Sequence, residues 1–165
     1  MSRGCLIVVA SVHHGNTAAV AAALAGVLDA TVAAPAEVSP ERLADHRLVG
    51  FGSGVYYGRL HDDLMAWVRG LPDGAAAGTS AFVFSTSGLP WLAKVWHAPL
   101  ERLLARKGFH VVGSFGCRGF DTWGPLWLAG GLNRRHPDEY DLARARDFAR
   151  RVAAALPAGD SKRAG

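Results

Sequence analysis

Cysteine is scarce, and so are charge, long apolar runs and familiar nucleotide signatures. Only Cys5 and Cys117 are present, too few for a disulfide framework or a cysteine-ligated zinc site. They fit a reducing compartment. No apolar stretch approaches the ~18–20 residues that a membrane-spanning helix needs. Charged residues make up 19% and apolar ones 50%, which excludes a disordered chain. Neither G-x-G-x-x-G nor G-x-x-x-x-G-K-[ST] occurs, so the standard dinucleotide and Walker loops are absent.

No internal repeat or linker divides the 165 residues. One domain over residues 1–156, with a flexible tail over 157–165, is expected. The start, Met1-Ser-Arg-Gly-Cys-Leu-Ile-Val-Val-Ala10, resembles a short signal peptide. No small-residue cleavage site follows cleanly, and a buried first strand explains it better. A cytoplasmic protein without an integral membrane segment is expected. The net charge is +4 and the pI about 9.5. The arginines are spread along helical stretches and Ser161-Lys-Arg163 is too short to be a basic arm. A basic face for an acidic protein or an anionic cofactor is expected, and nucleic acid is not.

The hydrophobic pattern alternates between strands and helices. Leu6–Ala10 reads as a buried strand, followed by an alanine-rich helix with Val20, Leu24, Val27 and Leu28 on one face. Thr31–Ala33 is a weak second strand, and Ser39-Pro40-Glu41 a capped helical turn. Arg47–Gly52, Ala81–Phe84 and His110–Phe115 supply three more strands. Between them, one helix carries Leu60, Leu64, Trp67, Val68 and Leu71, and another Leu100, Leu103 and Leu104 before Lys107-Gly108. The last opens at Pro137-Asp138-Glu139 and buries Leu142, Phe148, Val152 and Leu156. Five strands alternating with helices argue for a parallel sheet covered on both faces. Such sheets bind ligands beyond the carboxyl ends of their strands.

The loops at those ends carry the chemistry. Ser11-Val-His-His-Gly-Asn-Thr17 combines hydroxyls, a glycine and a helix start, where free N–H groups and the helix dipole favour an anion. Ser11, Asn16 and Thr17 can donate to phosphate oxygens. Acid–base work by His13 and His14 is one option. Metal ligation is disfavoured, because adjacent residues rarely face one ion and no H-E-x-x-H spacing exists. The preferred reading is that both histidines shape the phosphate loop and donate to the anion.

In Gly52-Ser-Gly-Val-Tyr-Tyr-Gly58, three glycines suggest close approach to a ligand, or a tight turn with packed tyrosines. Ser85-Thr-Ser-Gly-Leu-Pro-Trp91 adds small donors and a tryptophan that either stacks on a planar ligand or packs at a helix edge. Cys117 reads as an ordinary loop cysteine, although Arg118 could lower its pKa. Phe120–Ala129 reads as a lid, a partner or quinone-facing patch, or a satellite core, and Arg134-Arg135-His136 as a solvated positive turn.

Taken in order, Ser11–Thr17, Gly52–Gly58 and Ser85–Gly88 resemble the three flavin loops of the flavodoxin family, Gly15-Asn16-Thr17 included. The resemblance covers about residues 4 to 156. Gly116–Pro125 and Gly130–Asn133 are similar to a subgroup called "flavodoxin family protein". The resemblance implies an α/β, flavodoxin-like three-layer sandwich with a five-stranded parallel sheet, order 2-1-3-4-5, binding FMN non-covalently. It places Ser11, His13, His14, Gly15, Asn16 and Thr17 at the phosphate. It places Ser53, Gly54, Val55, Tyr56, Tyr57 and Gly58 along the ring, and Ser85, Thr86, Ser87 and Gly88 at its pyrimidine end, with Trp91 or Tyr56 stacking. It assigns no catalytic residue.

The implied role is an electron carrier or small reductase that meets a redox protein or a small acceptor, quinone among them. Two alternatives stand beside it. One is a flavin enzyme similar to the quinone-linked protoporphyrinogen oxidases or NAD(P)H:quinone reductases, which Leu60-His61 and the basic charge suit. The other is an apo-domain that binds another anion or a protein. Flavodoxins are acidic and this chain is basic, with Asp62-Asp63 the one obvious acidic pair near the loops.

Overall fold

The computed structural model describes residues 4–10, 15–119 and 136–157. Five parallel strands form its centre: β1 (Gly4–Ala10), β2 (Ala30–Ala33), β3 (His46–Tyr56), β5 (Ser80–Ser87) and β6 (His110–Arg118). Their spatial order is β2-β1-β3-β5-β6, and a sixth, two-residue strand, β4 (Arg59–Leu60), pairs antiparallel with β3. Without β4 the order is the expected 2-1-3-4-5. The helices are α1 (Asn16–Leu28), α2 (Asp62–Gly70), α3 (Ala93–Arg106) and α4 (Glu139–Ala155).

Period-2 burial divides the core into two layers. Val49, Phe51 and Val83 face Leu64 and Val68 of α2 and Leu100 and Leu104 of α3. Ile7, Phe82, Phe84 and Phe115 face Val20 and Leu24 of α1 and Phe148 and Val152 of α4. Leu142 and Leu156 are only partly buried, and Ala145 and Ala149 fill the contact instead. The start of α4 is fixed by a reciprocal cap: Asp138 accepts from the Asp141 N–H and Asp141 from the Asp138 N–H. His136 Nδ1 lies 2.5 Å from the same Asp141 carboxylate, so this residue is part of the cap rather than of a solvated turn. Arg134 and Arg135 lie outside the described residues.

The strands run further than their apolar cores. The third continues past Gly52 to Tyr56, the β5 strand past Phe84 to Ser87, and β6 past Phe115 to Arg118. What was expected to be loop at Ser53–Tyr56 is therefore strand. Tyr57 and Gly58, at φ 53° and 72°, form the two-residue turn into β4. Positive φ at both central residues is what a type I′ hairpin requires. The Ser39–Pro40 turn forms as a 3-10 turn (Pro40–Asp45) without a side-chain cap. The Ser39 hydroxyl donates to Glu41 instead.

Cys117 requires a correction. It lies in β6 rather than in a loop and is fully buried. Burial, with the Asp141 charge adding, pushes its thiol up to about 12, so the neighbouring arginine does not activate it.

Glycine in β3 is a packing requirement. A Cβ on Gly52 would be driven into the ring of Phe84, and one on Gly50 into that of Phe82. Both rings are fully buried and pack on each other at 6.0 Å between centroids, so neither can swing away. Gly52→Ala is expected to lower stability by about 1–3 kcal/mol through overpacking. Gly26→Ala, in α1 with nothing within 4 Å of the added methyl, is expected to raise it by roughly 0.5–1 kcal/mol. Urea midpoints of the two variants should move in opposite directions.

Candidate functional site

Parallel register brings the three sequence loops to one edge. Ala10 pairs with Ser53, Ser53 with Ser85, and Ser85 with Gly116, in one row across four strands. The next row holds Gly54, Thr86 and Cys117. Neighbouring strands are ~4.8 Å apart, so these rows form a strip of small residues in which the Ser53, Ser85 and Thr86 hydroxyls are buried. The order of connections reverses between β1 and β3, and crevices in open α/β sheets form at such points.

At one end of the strip stands the start of α1. Gly15, at φ 65°, precedes it without a side-chain cap, and its first turn carries no acidic residue. The first-turn N–H groups therefore stand at the positive end of the helix dipole with no N-cap side chain bonded to them. Thr17 is buried and its hydroxyl lies 2.8 Å from that of Thr86. One of the two hydroxyl protons serves this bond and the other remains to donate elsewhere. Ser11, His13 and His14 lie outside the described residues.

The β6 exit closes the strip. Gly119 donates its N–H to the Ser87 carbonyl at 3.0 Å. A Cβ on Gly119 would sit 3.0 Å from Thr86 Cβ and 3.1 Å from Asn16 Nδ2. The start of α1 and the exits of β5 and β6 thus converge on a glycine that sequence reading did not single out. Ser87 is buried, and its hydroxyl has no hydrogen-bond partner among the described residues. A buried hydroxyl without a partner costs about 1–3 kcal/mol, unless a ligand supplies one. Gly88 follows it, half-buried.

The hairpin residues divide between interior and surface. The Ser53 hydroxyl is spent inside: it accepts the His61 N–H at 2.7 Å and donates to the Gly54 carbonyl. Val55 and Tyr56 are half-buried, and the Tyr56 ring meets that of His61 edge-on at 5.4 Å. A Cβ on Gly54 would come within 2.7 Å of the Tyr56 hydroxyl, so that ring folds back over its own strand. His61 caps α2, its Nδ1 accepting from the Asp63 N–H at 3.1 Å. Tyr57 and Trp91, by contrast, are 71% and 69% exposed. Trp96 of α3 lies beside the turn, its Nε1 3.6 Å from where a Gly58 Cβ would stand. Among the described residues, Tyr57 and Trp91 are thus the well-exposed aromatic side chains of the hairpin turn and the segment before α3.

Beneath Ser85 lies a residue that periodicity had hidden in the core stripe of α3. His97 is fully buried, with Nε2 2.7 Å from the Ser85 hydroxyl. Its Nδ1 has no partner among the described residues. Burial pushes its pKa down to about 4.

A second grouping, His136, Asp138 and Asp141, brings ligand atoms within 4.8 Å of one another. Its carboxylates already serve the α4 cap. No helix among the described residues is long and apolar enough to cross a membrane.

Solved structures share this architecture. Flavodoxin 2 from Bacillus cereus superposes with a TM-score of 0.69 at 20% identity, over 92% of this chain and 98% of its own. A Fusobacterium nucleatum flavodoxin bound to flavin mononucleotide gives 0.64 at 11% identity, over 93% and 99%. The protein has the flavodoxin fold. No family model matches the chain. A relative in sequence does: an uncharacterized protein of Methanocaldococcus jannaschii, MJ0298, is 37% identical over 147 residues, which is 89% of this chain and 96% of that protein. The chain belongs to the same family as MJ0298.

The buried imidazole makes a pH prediction. Between pH 6.5, the ordinary histidine value, and about 4, the unfolded chain takes up a proton that the folded chain refuses. Stability is level above that window and falls as pH falls through it, by up to about 3 kcal/mol. The urea midpoint should drop between pH 7 and pH 4.5, and His97→Leu should flatten that drop.

Proposed function

We propose that the protein binds FMN non-covalently at the carboxyl edge of its sheet and serves as a redox carrier or small reductase module. The observation that carries this reading is the strip itself. An acid-free helix start, a hydroxyl pair at Thr17–Thr86, a buried hydroxyl at Ser87 without a partner among the described residues and a tightly packed Gly119 gather at one edge of the sheet. These residues fit the group. A phosphate takes N–H and hydroxyl donors at a helix start without needing lysine. A planar heterocycle rich in carbonyl and ring-nitrogen acceptors takes the Ser87 proton and the β5 exit. Tyr57 or Trp91 supplies an open aromatic face.

Bound there, the flavin supplies the electron transfer, and the protein contributes binding, orientation and exclusion of water. Asn16, Thr17 and the α1 amides hold the anionic tail, joined by Ser11, His13 and His14 in the sequence-based assignment. Residues Ser53 to Gly58 form one wall, in which the strand backbone rather than the Ser53 hydroxyl is available. Residues Ser85 to Gly88 form the floor at the polar end of the ring.

One observation favours an apolar small acceptor such as a quinone over a purely protein partner. Tyr57, Leu89, Trp91 and Val95 are all exposed, on the hairpin turn, the segment before α3 and the first turn of α3. A reductase similar to the NAD(P)H:quinone or quinone-linked porphyrinogen enzymes is the second reading that this surface supports.

Titration of the purified protein with FMN should quench flavin fluorescence with one site per chain. Colourless protein that ignores FMN would leave the apo-domain reading in its place. Ser87→Ala is expected to raise the stability of the flavin-free protein by about 1–3 kcal/mol, because it removes a buried hydroxyl that has no partner among the described residues. The same change should weaken FMN binding by about three- to tenfold, the worth of one hydrogen bond. Equal FMN affinity in parent and variant would remove Ser87 from the site.

A further inference from the structure

The sheet face beneath α2 and α3 is apolar for most of its length. A leucine at position 97 would complete it, yet His97 stands there with no exposure at all. A neutral imidazole carries one N–H. On Nδ1, that N–H would be buried without an acceptor, since Nδ1 has no partner among the described residues. On Nε2, it is donated to the Ser85 hydroxyl at 2.7 Å, and only a lone pair is left over. Orphaned buried N–H groups are rarer than under-used acceptors, so the geometry selects the Nε2–H tautomer. Burial keeps the ring neutral at ordinary pH.

Ser85 is the last residue before the exit of β5. The next, Thr86, bonds to Thr17 at the start of α1, and Ser87 receives the Gly119 N–H. One helical turn before His97, Ala93 packs so closely on β6 that a Cβ on Gly116 would lie 2.5 Å from its own. The first turns of α3 are thus seated on β5 and β6 by one apolar contact and one hydrogen bond, immediately under the strip.

We propose that His97 is a positioning residue for the site: its Nε2–H, donated to Ser85, fixes the β5 exit, Thr86 to Gly88, at the depth at which a ligand ring is gripped. The proposal rests on the flavin reading for the identity of that ligand. It reaches beyond the three loops, to a helix residue that touches no ligand and acts through Ser85.

Two substitutions separate the bond from the packing. Glutamine places its amide nitrogen where Nε2 stands, whereas asparagine reaches only as far as Nδ1. In the flavin-free protein, amide exchange at Thr86, Ser87 and Gly88 should quicken about five- to tenfold in His97→Asn, His97→Leu and Ser85→Ala, the worth of one hydrogen bond. It should stay near the parent rate in His97→Gln. Nitrogen-15 spectra should show His97 protonated on Nε2. FMN dissociation constants should rise in the same order, with His97→Gln rescued.

Unchanged exchange in Ser85→Ala, which leaves α3 intact even where His97→Leu fails to fold, overturns the proposal, and so does a bare Nε2. If the exchange order holds while the parent binds no FMN, the positioning role stands and the flavin reading falls.

Discussion

The register of four parallel strands is the constraint on which the rest depends. Once Ala10, Ser53, Ser85 and Gly116 share a row, the segments that follow must emerge side by side. Their spacing is set by backbone hydrogen bonds rather than by loop chemistry. That register holds because the aromatic layer beneath admits no alternative. Phe82 and Phe84 fill the room that glycine leaves at positions 50 and 52, and a slip of one residue would turn both rings to the wrong face.

Stabilisation is divided unevenly along the strands. The middle of the sheet is apolar on both faces and contributes most of the burial. At the carboxyl end the apolar residues give way to hydroxyls and imidazole. Among the described residues, the buried polar side chains are Thr17, Ser53, Thr79, Ser80, Ser85, Thr86, Ser87, His97 and Asp141. Six of these, Thr17, Ser53, Ser85, Thr86, Ser87 and His97, gather at the strip. Replacing Ser53, Ser85 or His97 by an apolar residue would strand a hydrogen-bond partner, such as the His61 N–H that Ser53 accepts. Their concentration at one edge is the feature on which the proposed ligand site rests.

The sheet, its order and its helices were legible because period-2 and period-3.6 burial are strong wherever the core is apolar. The strand ends were not. Ser53–Tyr56, Ser85–Ser87 and Gly116–Arg118 look like loop because polar and glycine residues interrupt the apolar run, and only pairing with a neighbour keeps them extended. The Tyr57-Gly58 hairpin was missed for a related reason. Tyrosine is a poor guide to a turn, and its positive φ is imposed by the strands on either side. His97 was invisible because its spacing is that of a core leucine, and Gly119 because a lone glycine after a strand carries no signal until its neighbours are known. Cys117 misled through its neighbour: adjacency to Arg118 in sequence says nothing about which side of the strand either residue faces.

The absence of a lysine from the strip follows from the same economy of charge. A buried ammonium beside Thr17 or Ser87 would need a permanent counter-charge whenever the ligand departed. Neutral donors need none. Hydroxyls can turn to each other, as Thr17 and Thr86 do, and a histidine with its pKa pushed down to about 4 donates as a neutral ring at ordinary pH. On the flavin reading, an edge built this way would favour an anionic, acceptor-rich ligand through dipoles alone. The net positive charge of the chain then lies on exposed arginines and lysines, where it acts at long range on whatever approaches the exposed Tyr57 and Trp91 faces. On that reading, attraction of a partner and retention of the ligand would be carried by different groups.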